Sequence, residues 1–143
     1  MTIKLTELDS RVTFGEQLER ETGPVVLINT FNVDLDDEAR LLAAWTDDAA
    51  FMQDQPGYIS TQLHRGIAGS TTFVNIAEWD SARSPRAAFF SPGFQDRIGR
   101  YPDSAVATPH LFVKVAVPGI CTAEPVGIAI PEQRGIADQS DLV

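Results

Sequence analysis

The sequence contains very little of the chemistry that metal and disulfide sites need. It has one cysteine, Cys121, and two histidines, His64 and His110, in 143 residues. A single cysteine forms no internal disulfide, and neither a CxxC nor an HExxH motif is present, so we expect no metal site and no redox-active dithiol. Such sparing use of cysteine is typical of a reducing compartment and predicts a cytoplasmic protein.

Positive charge and long apolar runs are also scarce. Eleven Lys and Arg residues against twenty Asp and Glu give a formal net charge of −9. A surface of this sign repels phosphate backbones and anionic lipids, which argues against nucleic-acid and membrane partners. No run approaches the roughly 18 apolar residues of a membrane span, and no basic segment precedes an apolar run at the N-terminus, so we expect no signal peptide.

What the sequence does contain is enough apolar material for one domain, since 43% of its residues are hydrophobic. The run 24–33, rich in β-branched residues, predicts a buried strand. Short carboxylates at 34–38 then predict a helix N-terminus, and Gln55-Pro56-Gly57 predicts the end of that helix. Between them, four residues share one apolar helix face: Leu42, Trp45, Ala49 and Met52.

The rest of the chain supplies three more strands and a second helix. Runs 58–65 and 71–79, joined by a turn with two glycines, predict a hairpin. Ser84-Pro85 predicts the start of a helix, which Ser91-Pro92-Gly93 is expected to break into two pieces. The last predicted strand is 110–117, before Pro118-Gly119.

This order, βαββαβ, predicts a ferredoxin-like α+β fold with a four-stranded antiparallel sheet and two helices on one face. The other face of the sheet is then bare, and a second copy of so small a chain is the simplest cover, which predicts a homodimer. The predicted domain spans 23–118, between an N-terminal extension, 1–22, and a C-terminal extension, 119–143. The C-terminal extension is either a clasp on the partner or disordered.

The third predicted strand carries the first candidates for chemistry. Its residues alternate, so that Phe73, Asn75 and Trp79 share one side while Val74 and Ile76 share the other. The second side is more aliphatic and is expected to pack on the helices; the first is then expected to line a space between the sheet and the partner copy. An amide and an indole N–H facing a cavity can orient a planar, oxygen-rich ligand. Alternatively, they are a buried core asparagine and a packing tryptophan.

The preceding strand places a histidine among polar neighbours. Tyr58, Gln62 and His64 share a side that is expected to face solvent or a polar-rimmed pocket. A neutral histidine can take a proton from a phenol or an activated C–H group, although a surface or interface histidine fits equally well. Arg97 and Arg100, late in the second helical region, can steady a phenolate or carboxylate; solvated arginines at a helix end are the alternative.

Three stretches together resemble the antibiotic biosynthesis monooxygenase family, whose members are dimeric α+β barrels: FMQDQPGYISTQLHRG at 51–66, FVNIAEW at 73–79 and PHLFVKV at 109–115. The resemblance covers about residues 24–121. It is nearest to the branch that oxidises anthrones in aromatic polyketide pathways, such as tetracenomycin F1 monooxygenase; YPDSA at 101–105 and VAVPGIC at 115–121 also look like that branch.

The resemblance implies oxidation by molecular oxygen with no metal, flavin or haem. It implies catalytic roles for Asn75, Trp79 and His64, and a helix arginine that is either Arg97 or Arg100. Haem degradation on the same fold is disfavoured, because residues 81–107 contain no histidine to serve as an axial ligand.

We therefore predict oxidation of an anthrone-type aromatic polyketide to a quinone, with substrate contacts from Tyr58, Gln62, Phe73, Arg97 and Arg100. Two alternatives remain: a polyketide cyclase or isomerase on the same fold, and a non-catalytic small-molecule-binding stress-response domain. The identity of the polyketide, the carbon oxidised and the general base are left open.

Overall fold

A computed structural model of the protein describes residues 3–121. Each of the elements expected from the sequence is present, and two short ones precede them. In chain order they are β1 (Lys4–Leu5), α1 (Phe14–Leu18), β2 (Val25–Asn32), a 3-10 turn (Leu35–Asp37), α2 (Glu38–Gln53), β3 (Tyr58–Arg65), β4 (Thr72–Trp79), α3 (Arg83–Phe89), α4 (Pro92–Ile98) and β5 (Val106–Phe112).

The sheet of the described residues has five strands in the order β1-β5-β2-β4-β3. β2, β3, β4 and β5 pair antiparallel in the ferredoxin-like arrangement, as predicted. The predicted count of four was wrong, because β1 adds a parallel edge strand beside β5. Two backbone hydrogen bonds hold β1 in place: the Lys4 N–H donates to the Ala105 carbonyl at 3.0 Å, and the Thr6 N–H donates to the Ala107 carbonyl at 2.9 Å. Two residues are too few to give a strand pattern in the sequence.

The described part of the N-terminal segment packs as part of the domain. Ile3 and Leu18 are buried, and each belongs to one of the two core clusters. The side chain of Gln17 in α1 acts as a substitute strand: its amide donates to the Leu111 carbonyl at 3.0 Å and its oxygen accepts from the Leu111 amide at 2.8 Å. Most of the predicted C-terminal extension, from residue 122 onward, lies outside the described residues.

β5 begins four residues earlier than the sequence pattern indicated. The prediction started at His110 because a proline inside a strand normally removes a ladder bond. In the structure, Pro109 lies opposite Asn29 in the ladder between β5 and β2. The Leu111 N–H, two residues further on, points away from β2 and donates a hydrogen bond to the Gln17 side-chain oxygen. Alternate residues of a strand direct their N–H groups to the same side, so an N–H at position 109 would also point away from β2. The missing N–H of Pro109 therefore leaves the ladder with β2 intact.

The helices cover the sheet face opposite to the one predicted. Phe31, Phe73, Ala77 and Trp79 are buried beneath them, with Leu41 of α2 packed in the same core. The other side of β4, which carries Val74 and Ile76, is the uncovered face. The prediction failed because it took the more aliphatic side to be the side under the helices. The covered side is instead built from large aromatic and small residues.

The break in the second helix lies where the sequence predicted it. The Ser91 side chain caps the new helix by accepting a hydrogen bond from the Phe94 amide at 3.3 Å, and Pro92 follows at the first helical position. No helix among residues 3–121 is long and apolar enough to cross a membrane.

Two glycines with positive φ differ in how closely they are packed: Gly57 lies in the turn before β3, and Gly69 lies in the turn after it. Gly57 has φ +88°, and a Cβ there would collide with the Ser84 side chain; Gly69 has φ +77° in open space. Left-handed geometry costs an L-residue about 1–2 kcal/mol, and overpacking adds about 1–3. Gly57→Ala should therefore lower the free energy of unfolding by about 2–5 kcal/mol in urea titrations and Gly69→Ala by about 1–2. Equal losses would contradict close packing at Gly57.

Candidate active site

A cavity lies between α2 and the helix-covered face of the sheet. The cavity and its mouth contain about 480 Å³ of space not occupied by atoms. The centre of a water molecule can occupy about 50 Å³ of this space. Its walls are mainly aromatic and aliphatic, with a few polar groups among them. The lining residues are Leu27, Asn29, Phe31, Trp45, Asp48, Ala49, Met52, Tyr58, Thr61, Asn75, Ala77, Trp79 and Phe89.

A β-bulge in β3 determines which of its side chains reach this cavity. Tyr58 lies opposite Trp79 and Ser60 opposite Glu78, so Ile59 is an extra residue. The bulge therefore brings Tyr58 and Thr61, three positions apart, to the same face. The Thr61 hydroxyl donates to the Asn75 side-chain oxygen. This bond fixes the amide and leaves its N–H groups as donors for a ligand.

Three buried polar atoms in the cavity wall have no hydrogen-bond partner among residues 3–121: Trp79 Nε1, Asn29 Oδ1 and Asp48 Oδ1. The Trp79 indole is only 2% exposed, and Tyr58 packs edge-on against it with ring centroids 5.6 Å apart. An unsatisfied buried polar group costs about 1–3 kcal/mol, so clusters of them are rare in ordinary cores. One donor and two acceptors around a single apolar space are typical of a binding site.

Asp48 is a site residue that the sequence analysis missed. α2 carries it on the face that also presents Trp45 and Met52 to the sheet. Its Oδ2 accepts a hydrogen bond from the Tyr101 hydroxyl at 2.9 Å. Burial raises the pKa of the Asp48 carboxyl to about 6, against partial opposition from the Tyr101 bond and the charge of Arg97. An acidic residue in an otherwise apolar helix stripe was the signal that could have identified it.

Burial acts on the other partner of this pair as well. It raises the pKa of the Tyr101 phenol, and the neighbouring Asp48 charge raises it further. Tyr101 therefore keeps its proton and acts as the donor of the pair.

The structure brings together only some of the predicted site residues. Asn75, Trp79 and Tyr58 line the cavity, but beneath the helices and not between the sheet and a partner copy. His64 and Gln62 are exposed on the uncovered face; His64 Nδ1 lies 3.3 Å from the Val74 carbonyl oxygen, and Gln62 bonds the Leu63 carbonyl. Within one chain, the sheet itself separates His64 from Asn75 and Trp79, so the predicted grouping of the three was wrong.

The other three predicted substrate contacts also lie outside the cavity wall. Phe73 is 2% exposed in the core beside Arg65. Arg97 stacks on Phe51, 4.7 Å from the ring centroid, and donates to the Gly93 carbonyl at 2.9 Å.

Arg100, the last of these, binds Asp47 and Asp96 at the surface.

Among residues 3–121, no group of three His, Cys, Asp or Glu side chains is placed to hold a metal ion.

Because its pKa is raised, the Asp48 carboxylate opposes folding above about pH 6, and the opposition disappears below its unfolded value near 3.8. Asp48→Asn keeps an acceptor for Tyr101 and removes the charge. We expect the variant to be more stable than the parent by about 1–3 kcal/mol at pH 7.5, with the difference falling towards zero near pH 4. Urea unfolding at both pH values measures it; a difference independent of pH would contradict the burial of this charge.

Comparisons with known proteins agree with this architecture. SnoaB from Streptomyces nogalater, described as a cofactor-independent oxygenase, is 26% identical; the match covers 68% of this chain and 98% of that one, with a TM-score of 0.62. A protein from Shewanella loihica PV-4 is 30% identical over 67% of this chain and 98% of its own, with a TM-score of 0.58. One from Bordetella bronchiseptica, 19% identical over 66% and 99%, with a TM-score of 0.55, shows the fold alone.

A search among curated proteins finds no match. The family model described as antibiotic biosynthesis monooxygenase matches residues 24–98, just over half of the 143 residues. That segment runs from β2 to the end of α4 and includes all the residues that line the cavity, Asn75 and Trp79 among them. The chain therefore belongs to the antibiotic biosynthesis monooxygenase family.

Proposed function

We propose that this protein is a cofactor-independent monooxygenase that oxidises an anthrone-type aromatic polyketide intermediate to a quinone with molecular oxygen. Family membership supports a monooxygenase, and the likeness to SnoaB supports one that works without a cofactor. The observation that carries the proposal is the group of unpartnered polar atoms around an apolar cavity, with the Trp79 indole N–H and the Asn75 amide as donors.

The substrate itself supplies most of the chemistry. An anthrone has an acidic CH2 group opposite its carbonyl, and loss of one proton leaves an anion whose charge is shared with the carbonyl oxygen. That anion passes one electron to O2, and superoxide then recombines with the organic radical at the former CH2 carbon. The hydroperoxide loses water to leave a second carbonyl, so that CH2 and O2 become C=O and H2O.

In this reaction the protein holds the ring, excludes bulk water and stabilises the anion. Trp79 Nε1 and the Asn75 amide donate to the carbonyl oxygen, where charge develops on deprotonation. Tyr58, Trp45 and Phe89 enclose the ring faces. Stabilisation by fixed donors in an apolar wall is stronger than in water, because nothing has to reorient when charge appears.

The cavity must widen to admit a fused aromatic ring system. A cavity of about 150 Å³ holds one benzene ring, and only about 50 Å³ is open to water centres here. Met52 is the lining side chain best suited to move, since it is unbranched and has three rotatable bonds. Phe89, in the short helix α3, is the second. We expect the substrate to enter between α2 and α3.

Replacing the donors tests their role. Trp79→Phe removes the indole N–H and keeps an aromatic ring, and Asn75→Ala removes the amide. Loss of one donor to a developing oxyanion lowers kcat by about 10²–10³. We therefore expect each variant to slow oxygen uptake on a simple anthrone by at least tenfold, measured with an oxygen electrode and by product mass.

Gln62→Ala is the matched control, since Gln62 is exposed on the opposite face and should leave the rate unchanged. Full activity in both donor variants, shown to be folded, would contradict the proposed site. Turnover of the ring compound without oxygen uptake would point instead to a cyclase or isomerase, and binding without turnover to a binding domain.

We also propose that the protein forms a homodimer through the uncovered sheet face. That face carries Val26, Ile28, Val74 and Ile76 at its centre, and Ile76 is 38% exposed in the single chain. A second copy laid on it would bury this apolar surface.

The unpaired, exposed thiol of Cys121 fits a reducing compartment, in agreement with a cytoplasmic location.

A charge placed at the centre of this face should separate the copies. We expect Ile76→Glu to shift the protein from dimer to monomer in analytical ultracentrifugation, because an unpaired charge in a buried interface is strongly unfavourable. Ile67→Glu is the control, since Ile67 is 89% exposed at the hairpin tip between β3 and β4. A dimer that persists in the Ile76 variant would place the interface elsewhere.

A further inference from the structure

We propose that Asp48 is the general base of the cavity and that its free Oδ1 takes the proton from the CH2 group of the bound substrate. This inference rests on the proposed function for the kind of substrate it names. It assigns the base to a carboxylate of α2, where the sequence had suggested the histidine of β3.

The position of Asp48 suits a general base. Asp48 lies in the wall of the same cavity as Asn75 and Trp79, and its Oδ1 is buried without a partner among the described residues. It projects from α2, whereas Asn75 and Trp79 project from β4 in the sheet. A ring held between helix and sheet therefore has the oxyanion donors on one side and a proton acceptor on the other.

Asp48 is held in place through one of its two oxygens. Oδ2 accepts a hydrogen bond from the Tyr101 hydroxyl at 2.9 Å, while Oδ1 has no hydrogen-bond partner among residues 3–121. Tyr101 is 2% exposed, so its ring is fixed by the core; it stacks on Phe31 with ring centroids 6.1 Å apart. A base held through one oxygen keeps the other aimed at the space where the substrate lies.

No other described residue of the cavity wall competes with Asp48 for the role of base. Among the described residues that line the cavity, Asp48 is the only carboxylate, and no histidine is present. His64 lies across the sheet on the uncovered face. His110 also belongs to that face, opposite Ile28 in the ladder, and its ring contacts Gln17 of α1.

The charges around Asp48 favour a base that works near neutral pH. Arg97 of α4 stabilises the carboxylate and the neighbouring Asp47 opposes it, while Tyr101 supplies the hydrogen bond. Arg100 neutralises Asp47 at the surface, and Tyr58 faces the cavity from β3. With its pKa raised to about 6, the Asp48 carboxyl is mainly ionised at pH 7 and accepts a proton more readily than an exposed aspartate.

The proton transfer balances within the site. The C–H bond of the substrate breaks, an O–H bond forms on Oδ1, and the electron pair stays on the ring system, where its charge is shared with the carbonyl oxygen. Oxygen then takes an electron from this anion, as described above. Asp48 returns its proton to the outer peroxide oxygen, which gives the hydroperoxide. The remaining hydrogen of that carbon then leaves as a proton, its electron pair forms the second carbonyl, and the O–O bond breaks. The outer oxygen departs as hydroxide and combines with the proton as water.

The test isolates the proton step from oxidation. Anthrone is incubated with the protein in D2O without oxygen, and deuterium incorporation at its CH2 carbon is followed by mass spectrometry. We expect the parent protein to speed exchange well above the buffer rate and Asp48→Asn to lose at least 100-fold of that acceleration. Exchange by the parent should rise with pH about a midpoint near 6, and Asp48→Asn should lose this dependence.

Two further variants keep the result specific. Asp54→Asn changes an exposed aspartate at the C-terminal end of the same helix and should exchange at the parent rate. Tyr101→Phe removes the hydrogen bond that stabilises the carboxylate and should move the midpoint to higher pH. Near-ultraviolet circular dichroism and binding of anthraquinone, a product-like ring, confirm that each variant is folded with an intact cavity.

The outcomes separate this inference from the proposed function. Exchange that depends on Asp48 without oxygen uptake in air would support the base and overturn the oxygenase. Oxygen uptake with unchanged exchange in Asp48→Asn would overturn the base and leave the oxygenase standing. If the parent binds the ring but does not accelerate exchange at all, the base assignment is wrong.

Discussion

The site depends on how α2 lies against the sheet. Leu41 and Ala44 hold the helix down near one end, in the cluster with Phe31 and Phe73. Towards the other end, the cavity is lined by Ala49 of α2 and Ala77 of β4, whose methyl groups are too small to fill the space between helix and sheet. The gap is the cavity. Polar atoms that a close-packed layer would have to satisfy internally are left facing an opening that a ligand can fill.

Contacts made by α4 help to position the groups around Asp48. Phe51 of α2 fits against Gly93, where any side chain would collide with its ring, and Arg97 stacks on the same ring. This contact fixes α4 beside α2, and Tyr101 follows three residues after the end of α4. A glycine and an arginine outside the cavity wall thus set the position of the group that holds Asp48. The sequence had marked Arg97 as a ligand contact; in the structure its effect reaches the cavity through Asp48.

The sequence predicted the order of the main elements because each has a strong local signal: a β-branched run for β2, an apolar helix face for α2, and two glycines between β3 and β4. It also singled out Asn75 and Trp79, which line the cavity in the structure. Their surroundings were wrong because the covering of a sheet face is decided by helices far along the chain, and hydropathy alone misjudged it. The bulge at Ile59 and the shift of β5 depend on pairing partners that no local pattern contains.

The sidedness of the sheet has a consequence for assembly. Every group in the cavity wall belongs to the layer under the helices, whereas a second copy would lie on the reverse surface. In a pair joined back to back, the two cavities would open in opposite directions, and each would be walled, as far as residues 3–121 are concerned, by its own chain.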